Sequence, residues 1–329
     1  MLRFIIKRVL IALLTLAAID VITFGVFFAV PSSPAEVMCS KNCDKARLDR
    51  VNAALGLDKP KIEQFAEFNR GLVLGRDLKV GDKADHCPAP CLGYSFRTSE
   101  AVTKVLGRGF PITASIVIGA FVLWIFVGVS LGVYSALHRG SFSDKIAIGL
   151  SLVGASMPVY FFALILLGIF VFSLRIFEFP HFVPITENPL LWAKGLVLPW
   201  LALTFVQAAG YARYSRSQML ETLSEDYIRT ARAIGLPKRT VHMKHALRAA
   251  ITPVITLAGL DLGVFLGGVA ITETIFGMHG IGWQSVNAVF DLNLPVVMGT
   301  VLIAAFFVVV SNTLVDVLYA FIDPRVKLS

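Results

Sequence analysis

Four cysteines are the residues whose spacing most directly suggests chemistry. They form two short pairs, Cys39-x3-Cys43 and Cys87-x3-Cys91, in the polar stretch between residues 31 and 110. Such thiols can hold zinc, but x2 spacing is more typical of zinc sites, and an even number of cysteines in a stretch expected outside the cell favours disulfides. The pattern therefore predicts disulfides and leaves all three possible pairings open.

Three acidic residues, Asp20, Asp261 and Glu273, stand in or beside apolar stretches. A carboxylate is costly in the bilayer core, so each of them should face other helices, water or a bound molecule rather than lipid. Two roles stay open for each: contact with a transported substrate, or hydrogen bonding between helices. We treat them as candidates for a path through the membrane.

Catalytic signatures are absent from the sequence. It contains no Gly-x4-Gly-Lys-Ser/Thr phosphate loop, no His-Glu-x2-His motif and no Gly-x-Ser-x-Gly motif. The spacing of His242 and His245 could suit a metal, but beside Lys244 and Arg248 a solvated or docking surface is favoured. We expect neither an enzyme nor a bound cofactor or metal in this chain.

Composition places the chain in a membrane. Its 329 residues are 56% apolar, and the mean hydropathy is +0.74. A net charge of +8 would suggest nucleic acid in a soluble protein. Here the basic residues are those expected in the cytoplasmic loops of a multi-span protein, so we predict no nucleic acid partner.

Apolar periodicity predicts an all-α polytopic fold with six transmembrane helices. Helices long enough to cross the bilayer are expected at residues 9–30, 112–137, 146–174, 195–212, 251–272 and 296–322. Segments 1–8 and 323–329 are then cytoplasmic termini, 31–110 is a large extracytoplasmic region, and 111–322 is a core of five helices. Every short basic loop falls on the side of the N-terminus, as the positive-inside rule requires.

Finer features of these elements can also be predicted. Short helices are expected at residues 48–56 and 62–74, lying across the outer mouth of the bundle. Met157-Pro158 should kink or tilt the third span. The motif Gly259-x3-Gly263-x3-Gly267, and more weakly Gly128-x3-Gly132, should mark faces where helices approach closely.

The longest polar segment of the core lies between residues 213 and 250 and predicts a helical hairpin. Tyr227, Ile228, Ala231 and Ile234 recur at helical spacing on one apolar side, whereas Arg229 and Arg232 point the other way. Gly235 can end the first helix and Pro237 can open a second short helix. A compact, exposed hairpin of this kind suits a soluble partner.

This hairpin resembles the "EAA" coupling loop of ABC-importer permeases, and most closely that of the peptide/nickel branch. The resemblance rests on Arg229-Thr-Ala-Arg-Ala-Ile-Gly-Leu-Pro237 followed by His245-Ala-Leu-Arg248, with Arg229 at the position of the eponymous glutamate. Similar short patterns cover nearly the whole chain. They include Leu55-Gly-Leu-Asp58, Arg139-Gly-Ser141 with Asp144, Asp226-Tyr227, Gly280-x-Gly282 and Asp323-Pro-Arg325.

Two departures from the family pattern lie outside the membrane. Pro31-Ser-Ser-Pro34 replaces an expected Pro-Gly-Asp-Pro, and residues 79–90 interrupt an expected Gly-Asp-Leu-Gly-x-Ser. A binding protein would dock on this side. The choice of binding protein is therefore the property that can least be inferred from the family resemblance.

The resemblance implies one permease subunit of an ATP-driven importer for dipeptides or oligopeptides in a prokaryotic inner membrane. Implied partners are a paralogous permease subunit, cytoplasmic ATPase subunits that bind ATP and magnesium, an extracytoplasmic substrate-binding protein, and membrane lipid. ATPase coupling would fall on Arg229, Ala231, Arg232, Gly235, Leu236 and Pro237. A peptide ammonium group could use one of the intramembrane acids.

Two other classes of function remain open from sequence. A self-sufficient ion-coupled carrier or channel would usually show internal repeats, which are not evident, and would leave the hairpin unexplained. An intramembrane enzyme would need a nucleophile and base or a metal set. The resemblance also admits nickel complexes and some sugars as substrates.

Overall fold

A computed structural model describes residues 2–29, 59–80, 83–95 and 97–322, with isolated positions at 44, 48 and 52. Cys39, Cys43 and most of the predicted helix at 48–56 lie outside the described residues. The first helix, α1, runs from Leu2 to Phe24 and continues through wider turns at Gly25–Ala29. It therefore starts earlier than the predicted span, because Lys7 and Arg8 favour helix and their long side chains can reach the headgroup layer.

The described part of the polar region between α1 and the next long helix contains one of the predicted helices and two hairpins that were not predicted. Helix α2 (Lys61–Leu74) packs Phe65 and Phe68 against Phe24 and Phe28 of the α1 end. Strands β1 (Arg76–Val80) and β2 (Lys83–Cys87) then pair antiparallel, followed by the short pair β3 (Tyr94–Ser95) and β4 (Glu100–Ala101). The four strands are too short and polar to show a clear alternating pattern.

The second cysteine pair forms a disulfide between Cys87 and Cys91, both of which are buried. This bond is one of those that the sequence left open. The bond closes the chain between β2 and β3, where the side chains of Tyr94 and Ala101 cover it. Cys87 lies within residues 79–90, which interrupt the family pattern, and Cys91 follows directly after them.

The longest helices are α3 (Val102–Leu137) and α6 (Pro189–Ser224), each of 36 residues. Helix α3 thus begins before the predicted residue 112, because the polar turn with Lys104 and Arg108 is already helical. Asn188 caps α6 by accepting hydrogen bonds from two backbone amides, and Pro189 occupies its first position. These start signals explain why α6 begins before the predicted residue 195.

Glycines bring α3 and α6 into close contact. A Cβ at Gly132 would lie 2.4 Å from the Ala212 carbonyl oxygen, and one at Gly128 would lie 2.6 Å from Tyr211 Cβ. Only glycine permits this approach, as the Gly128-x3-Gly132 motif predicted.

The third predicted span is broken rather than kinked. Helix α4 (Phe142–Ser156) and helix α5 (Val159–Leu166, continuing to Ser173) meet at Met157-Pro158 with a bend of 101°. Pro158 offers no amide hydrogen to continue α4. Five described helices are long enough to cross a membrane, or six if this bent pair forms one span.

The second half of the core ends in another glycine-mediated helix pair. Helix α7 (Asp226–Ala233) is followed by α8, which runs without a break from Lys238 to Leu266. Two short helices, α9 (Ala270–Ile275) and α10 (Ile281–Phe290), then lead into α11 (Leu294–Ile322). Helix α8 thus ends before the predicted residue 272, because Gly268, with φ of 130°, turns the chain toward Gly282.

A glycine also allows close contact between helices α8 and α11. A Cβ at Gly263 would lie 2.9 Å from Val308 Cα and 3.0 Å from the Phe307 carbonyl oxygen, both backbone atoms that cannot move aside. We expect Gly263→Val to lower the stability of the purified protein by about 1–3 kcal/mol through overpacking. Thermal unfolding in one detergent is the measurement.

Gly149→Val is the matched control, because a Cβ at Gly149 has no atom within 4 Å among the described residues. Its melting temperature should stay close to that of the unmodified protein. Equal losses in the two variants would contradict the proposed close contact between α8 and α11.

Candidate functional site

The polar hairpin is built from the end of α6, helix α7 and the start of α8. After α7, Gly235 adopts φ of 82°, and the Leu236 amide donates to the Ala231 carbonyl at 3.2 Å. Pro237 then precedes Lys238, the first residue of α8. The glycine end and the proline start agree with the sequence prediction. The second helix of the hairpin was expected to be short, but it is continuous with α8 because no residue interrupts the pattern there.

One face of the hairpin is packed onto the helix bundle. Ile228 and Ala231 are buried together with Met219 of α6 and Val241 and Ala246 of α8. Ala136 at the end of α3 completes this cluster, and Leu236 lies at its edge. Ala231 thus needs to be small because it packs against other residues of the same chain. The hairpin is thereby packed onto three long helices.

The other face of the hairpin combines exposed apolar and cationic side chains. Ile234 is 72% exposed, Met243 51% and Tyr227 47%, so Tyr227 and Ile234 do not share the buried side that sequence predicted for them. Their positions on α7 direct both side chains away from the buried side that contains Ile228 and Ala231. The cations on this surface are Arg229, Arg232, Lys238, Arg239, Lys244 and Arg248, all exposed.

Local electrostatics shape this face. Arg229 lies 3.3 Å from the Asp226 carboxylate, an exposed pair within one helical turn. Burial raises the pKa of the Tyr227 phenol, and the charge of Glu225 raises it further. Tyr227 therefore remains neutral at physiological pH and offers an apolar ring. A Cβ at Gly235 would meet no described atom within 4 Å, so the surface beside it is open.

An ion-pair network at the same end of the bundle was not predicted from sequence. Arg216 of α6 donates from Nε to Asp144 Oδ1 at 2.9 Å and from Nη2 to Oδ2 at 3.0 Å. Asp144 also accepts hydrogen bonds from the Ser135 hydroxyl and from the Gly140 amide. The network joins α3, α4 and α6. The capping pattern Ser141-x2-Asp144 is its one local signal, because Ser141 caps α4.

The three candidate acids have separate surroundings. Glu273, on α9, is fully buried; its Oε1 accepts from Thr113 Oγ1 at 2.6 Å and its Oε2 accepts from the Trp283 amide at 2.7 Å. Asp261 accepts from Tyr211 Oη at 2.6 Å. These contacts favour hydrogen bonding between structural elements over contact with substrate for both residues.

Asp20 has a different environment. Its side chain is 7% exposed, and its Oδ1 has no hydrogen-bond partner among the described residues. It lies with Asn69 in the wall of an apolar cavity of about 860 Å³ between α1, α2, α3 and α11. The described contacts do not join the three acids into one site.

The start of α1 and the end of α11 meet at the hairpin end of the bundle. Arg8 of α1 forms an ion pair with Asp316 of α11 at 2.8 Å. Because α11 packs antiparallel to α8, Asp316 lies at the end of the bundle where α8 begins. The start of α1, the end of α11 and the hairpin therefore share one side.

Comparisons with known proteins identify the class of this chain. Residues 128–328 match the family described as "Binding-protein-dependent transport system inner membrane component", and residues 1–117 match the N-terminal part of such components. The chain belongs to this family of ABC-importer permeases, in its peptide branch. It is accordingly a multi-span component of inner-membrane transport systems.

Relatives match over nearly their full lengths. A putative peptide transport system permease protein of Brucella abortus (strain 2308) is 34% identical over 323 residues, covering 98% of each chain. The dipeptide transport system permease protein DppB of Escherichia coli (strain K12) is 32% identical over 357 residues, covering 99% of each chain. DppB of Alkalihalophilus pseudofirmus is 32% identical over 349 residues.

The Arg216 network should hold the hairpin end of the bundle together. We expect Arg216→Gln to lower the melting temperature in detergent clearly, because it leaves a carboxylate that is 4% exposed without its bidentate partner. Arg97→Gln is the matched control, since Arg97 and Asp291 form an exposed pair with 45% and 53% exposure. A control loss as large as that of Arg216→Gln would contradict the assigned role.

Proposed function

We propose that this chain is one of two permease subunits in an ATP-driven importer of dipeptides or oligopeptides. In this proposal the chain forms half of the translocation pathway and uses the ATP cycle of separate cytoplasmic subunits. The observation that carries it is the hairpin, which presents an exposed apolar and basic face while its other face is fixed to three long helices. Membership of the permease family supports the same assignment.

The hairpin end of the bundle is cytoplasmic in this proposal. The short loop containing Arg139 and the hairpin itself are both basic, and both lie at that end. The positive-inside rule assigns such loops to the cytoplasm. We infer the same side for both chain ends, a proposal supported by the ion pair between Arg8 of α1 and Asp316 of α11.

Docking of an ATPase subunit on the exposed face would account for its composition. Ile234 and Tyr227 would fill an apolar groove, and the surrounding cations, among them Arg229 and Arg232, would face acidic residues on its rim. Gly235 and Pro237 shape the turn that carries these residues. Ala231 and Leu236 act from the packed side, by holding α7 in place.

Force would pass from the hairpin into the membrane through its two continuous helices. Helix α6 leads into the hairpin and α8 leads out of it. The part of α8 that belongs to the hairpin continues into its membrane-spanning part without a loop. A rigid displacement of the docked hairpin would therefore tilt both helices. This is domain closure used to alternate access to a central path.

The remaining partners follow from the class of transporter. A paralogous permease subunit would complete the pathway, and ATP with magnesium would be bound by the ATPase subunits. A substrate-binding protein would dock on the extracytoplasmic surface that includes α2 and the β1–β2 hairpin. The peptide substrate is inferred from relatives that are named peptide or dipeptide permeases.

The docking surface can be tested by charge placed at its apolar centre. We expect Ile234→Asp to insert and fold normally, because the side chain is 72% exposed, yet to retain far less ATPase subunit on purification from the native membrane. ATP-driven uptake should fall with it. Ile185→Asp is the control, as this isoleucine is 50% exposed at the opposite end of the bundle. Full ATPase recovery with Ile234→Asp would refute the docking surface.

Substrate class can be tested in proteoliposomes that contain the complex purified from the native membrane. With ATP on the hairpin side and the binding protein on the other, labelled dipeptide should accumulate, and a labelled sugar should not. Accumulation of the sugar or of a nickel complex alone would contradict the peptide assignment. Accumulation of dipeptide without ATP would contradict the ATP-driven mechanism.

A further inference from the structure

A hydrogen bond inside the bundle joins the two helices that carry the hairpin. Tyr211 of α6 donates from Oη to Asp261 Oδ2 of α8 at 2.6 Å. Tyr211 is 2% exposed, and it lies about 20 Å from the end of α6 at Ser224. The two helices are therefore linked directly to each other well away from the hairpin itself.

The bond lies where each of these helices is packed closely against a second helix. A Cβ at Gly128 of α3 would lie 2.6 Å from Tyr211 Cβ, so α6 is held against α3 at this position. Gly263, two residues after Asp261, holds α8 against α11 in the same way. The Tyr211–Asp261 bond thus connects one close helix pair, α3 with α6, to the other, α8 with α11.

Aromatic packing crosses between the two helix pairs at the same level. Trp124 of α3 is fully buried, and the centroid of its ring lies 5.2 Å from that of Phe265 of α8. Phe265 follows Asp261 by about one helical turn, and Trp124 precedes Gly128 by about one turn. The ring contact and the hydrogen bond therefore form one joint between the pairs.

Packing alone would not require an acid at this joint. Phenylalanine and leucine would fill similar space without the cost of placing a carboxyl group among apolar helices. The polar pair adds direction, because a hydrogen bond is strong only over a narrow range of distance and angle, whereas apolar contacts are non-directional. Sliding of α8 along α6 would break the bond and leave the carboxyl group of Asp261 without this donor.

We propose that Tyr211 and Asp261 are positioning residues for transport, because their hydrogen bond makes the two helix pairs move as one body. The inference rests on the proposed function, in which ATPase subunits displace the hairpin. With the bond in place, sliding of α8 along α6 does not absorb that displacement. The movement is passed on to α3 and α11 through the glycine contacts.

Tyr211→Phe tests the proposal, because it removes only the hydroxyl group. The complex is purified from its native membrane and placed in proteoliposomes, where the dipeptide accumulated per ATP hydrolysed is measured. We expect this ratio to fall at least about threefold, the factor that an average hydrogen bond between membrane helices contributes. ATPase recovery should stay unchanged, because the exposed face of the hairpin is intact. A role in folding alone would lower uptake and hydrolysis together and leave the ratio unchanged, which would overturn the proposal.

Ser115→Ala is the matched control. It removes the acceptor of a 3.1 Å hydrogen bond from Trp192 Nε1, which joins α6 to α3 within one helix pair. The ratio of dipeptide to ATP should stay at that of the unmodified complex. A fall equal to that of Tyr211→Phe would contradict the proposal, since a polar contact within one pair would then have the same effect.

Variants of Asp261 separate this role from direct contact with a peptide ammonium group. Asp261→Asn keeps an acceptor for the Tyr211 hydroxyl and should retain most of the ratio, whereas Asp261→Leu should lose as much as Tyr211→Phe. The double variant Tyr211→Phe/Asp261→Leu should be no worse than either single variant, because both changes remove the same bond. Loss of transport in Asp261→Asn, together with a normal ratio in Tyr211→Phe, would assign Asp261 to the substrate and overturn the proposal.

Failure of the positioning role can be told apart from failure of the proposed function. A normal ratio in Tyr211→Phe, alongside ATP-driven uptake by the unmodified complex, would overturn the positioning role alone. No ATP-driven uptake by the unmodified complex would refute the proposed function, and the positioning role with it.

Discussion

Close helix contact in the membrane depends here on the absence of side chains. In lipid, apolar side chains gain little by leaving the solvent for each other, so helix pairs rely on packing between backbones. Gly128 and Gly132 let α3 approach α6, and Gly259 and Gly263 let α8 approach α11. These two pairs form the frame to which the rest of the chain is attached. The hairpin lies between them, with α6 belonging to one pair and α8 to the other.

This arrangement explains why the hairpin has two different faces. Ile228 and Ala231 face the frame and are buried, which fixes the position of α7 against α3 and α6. Ile234, only a few residues later, is the most exposed apolar residue of the hairpin. An exposed isoleucine surrounded by cations contributes nothing to the stability of a separate chain, but it suits a partner surface. The Asp144–Arg216 network beside it adds stiffness where force would enter the membrane.

The sequence predicted the class of fold and the local signals of the hairpin well. These features depend on residues that are close together in sequence. They are the apolar runs long enough to span a bilayer, Gly235 at the end of α7, Pro237 at the start of α8 and the glycine faces. It did not predict the full lengths of α3 and α6, because helices continue into the headgroup layer where polar residues are tolerated. The 101° bend at Pro158 exceeds what proline alone indicates and depends on the surrounding helices.

Long-range polar partners were the main feature that local reasoning missed. Asp144 and Arg216 are far apart in sequence, and Glu273 finds Thr113 and the Trp283 amide only after α9 folds back between the spans. Periodicity contains no information about such pairings. The buried acids could therefore be identified from sequence as costly, but their partners could not. Among the three candidate acids, Asp20 is the one that has a buried oxygen without a described hydrogen-bond partner, beside a large apolar cavity.

The most direct test of the account is to purify this chain in mild detergent from its native membrane and identify by mass spectrometry what accompanies it. The account predicts a second multi-span permease and one or two ATPases that contain phosphate-binding loops. Recovery of the chain alone, still able to move solute across liposome membranes, would contradict it. The exposed face of the hairpin would then need another explanation, and a self-sufficient carrier would be the better assignment.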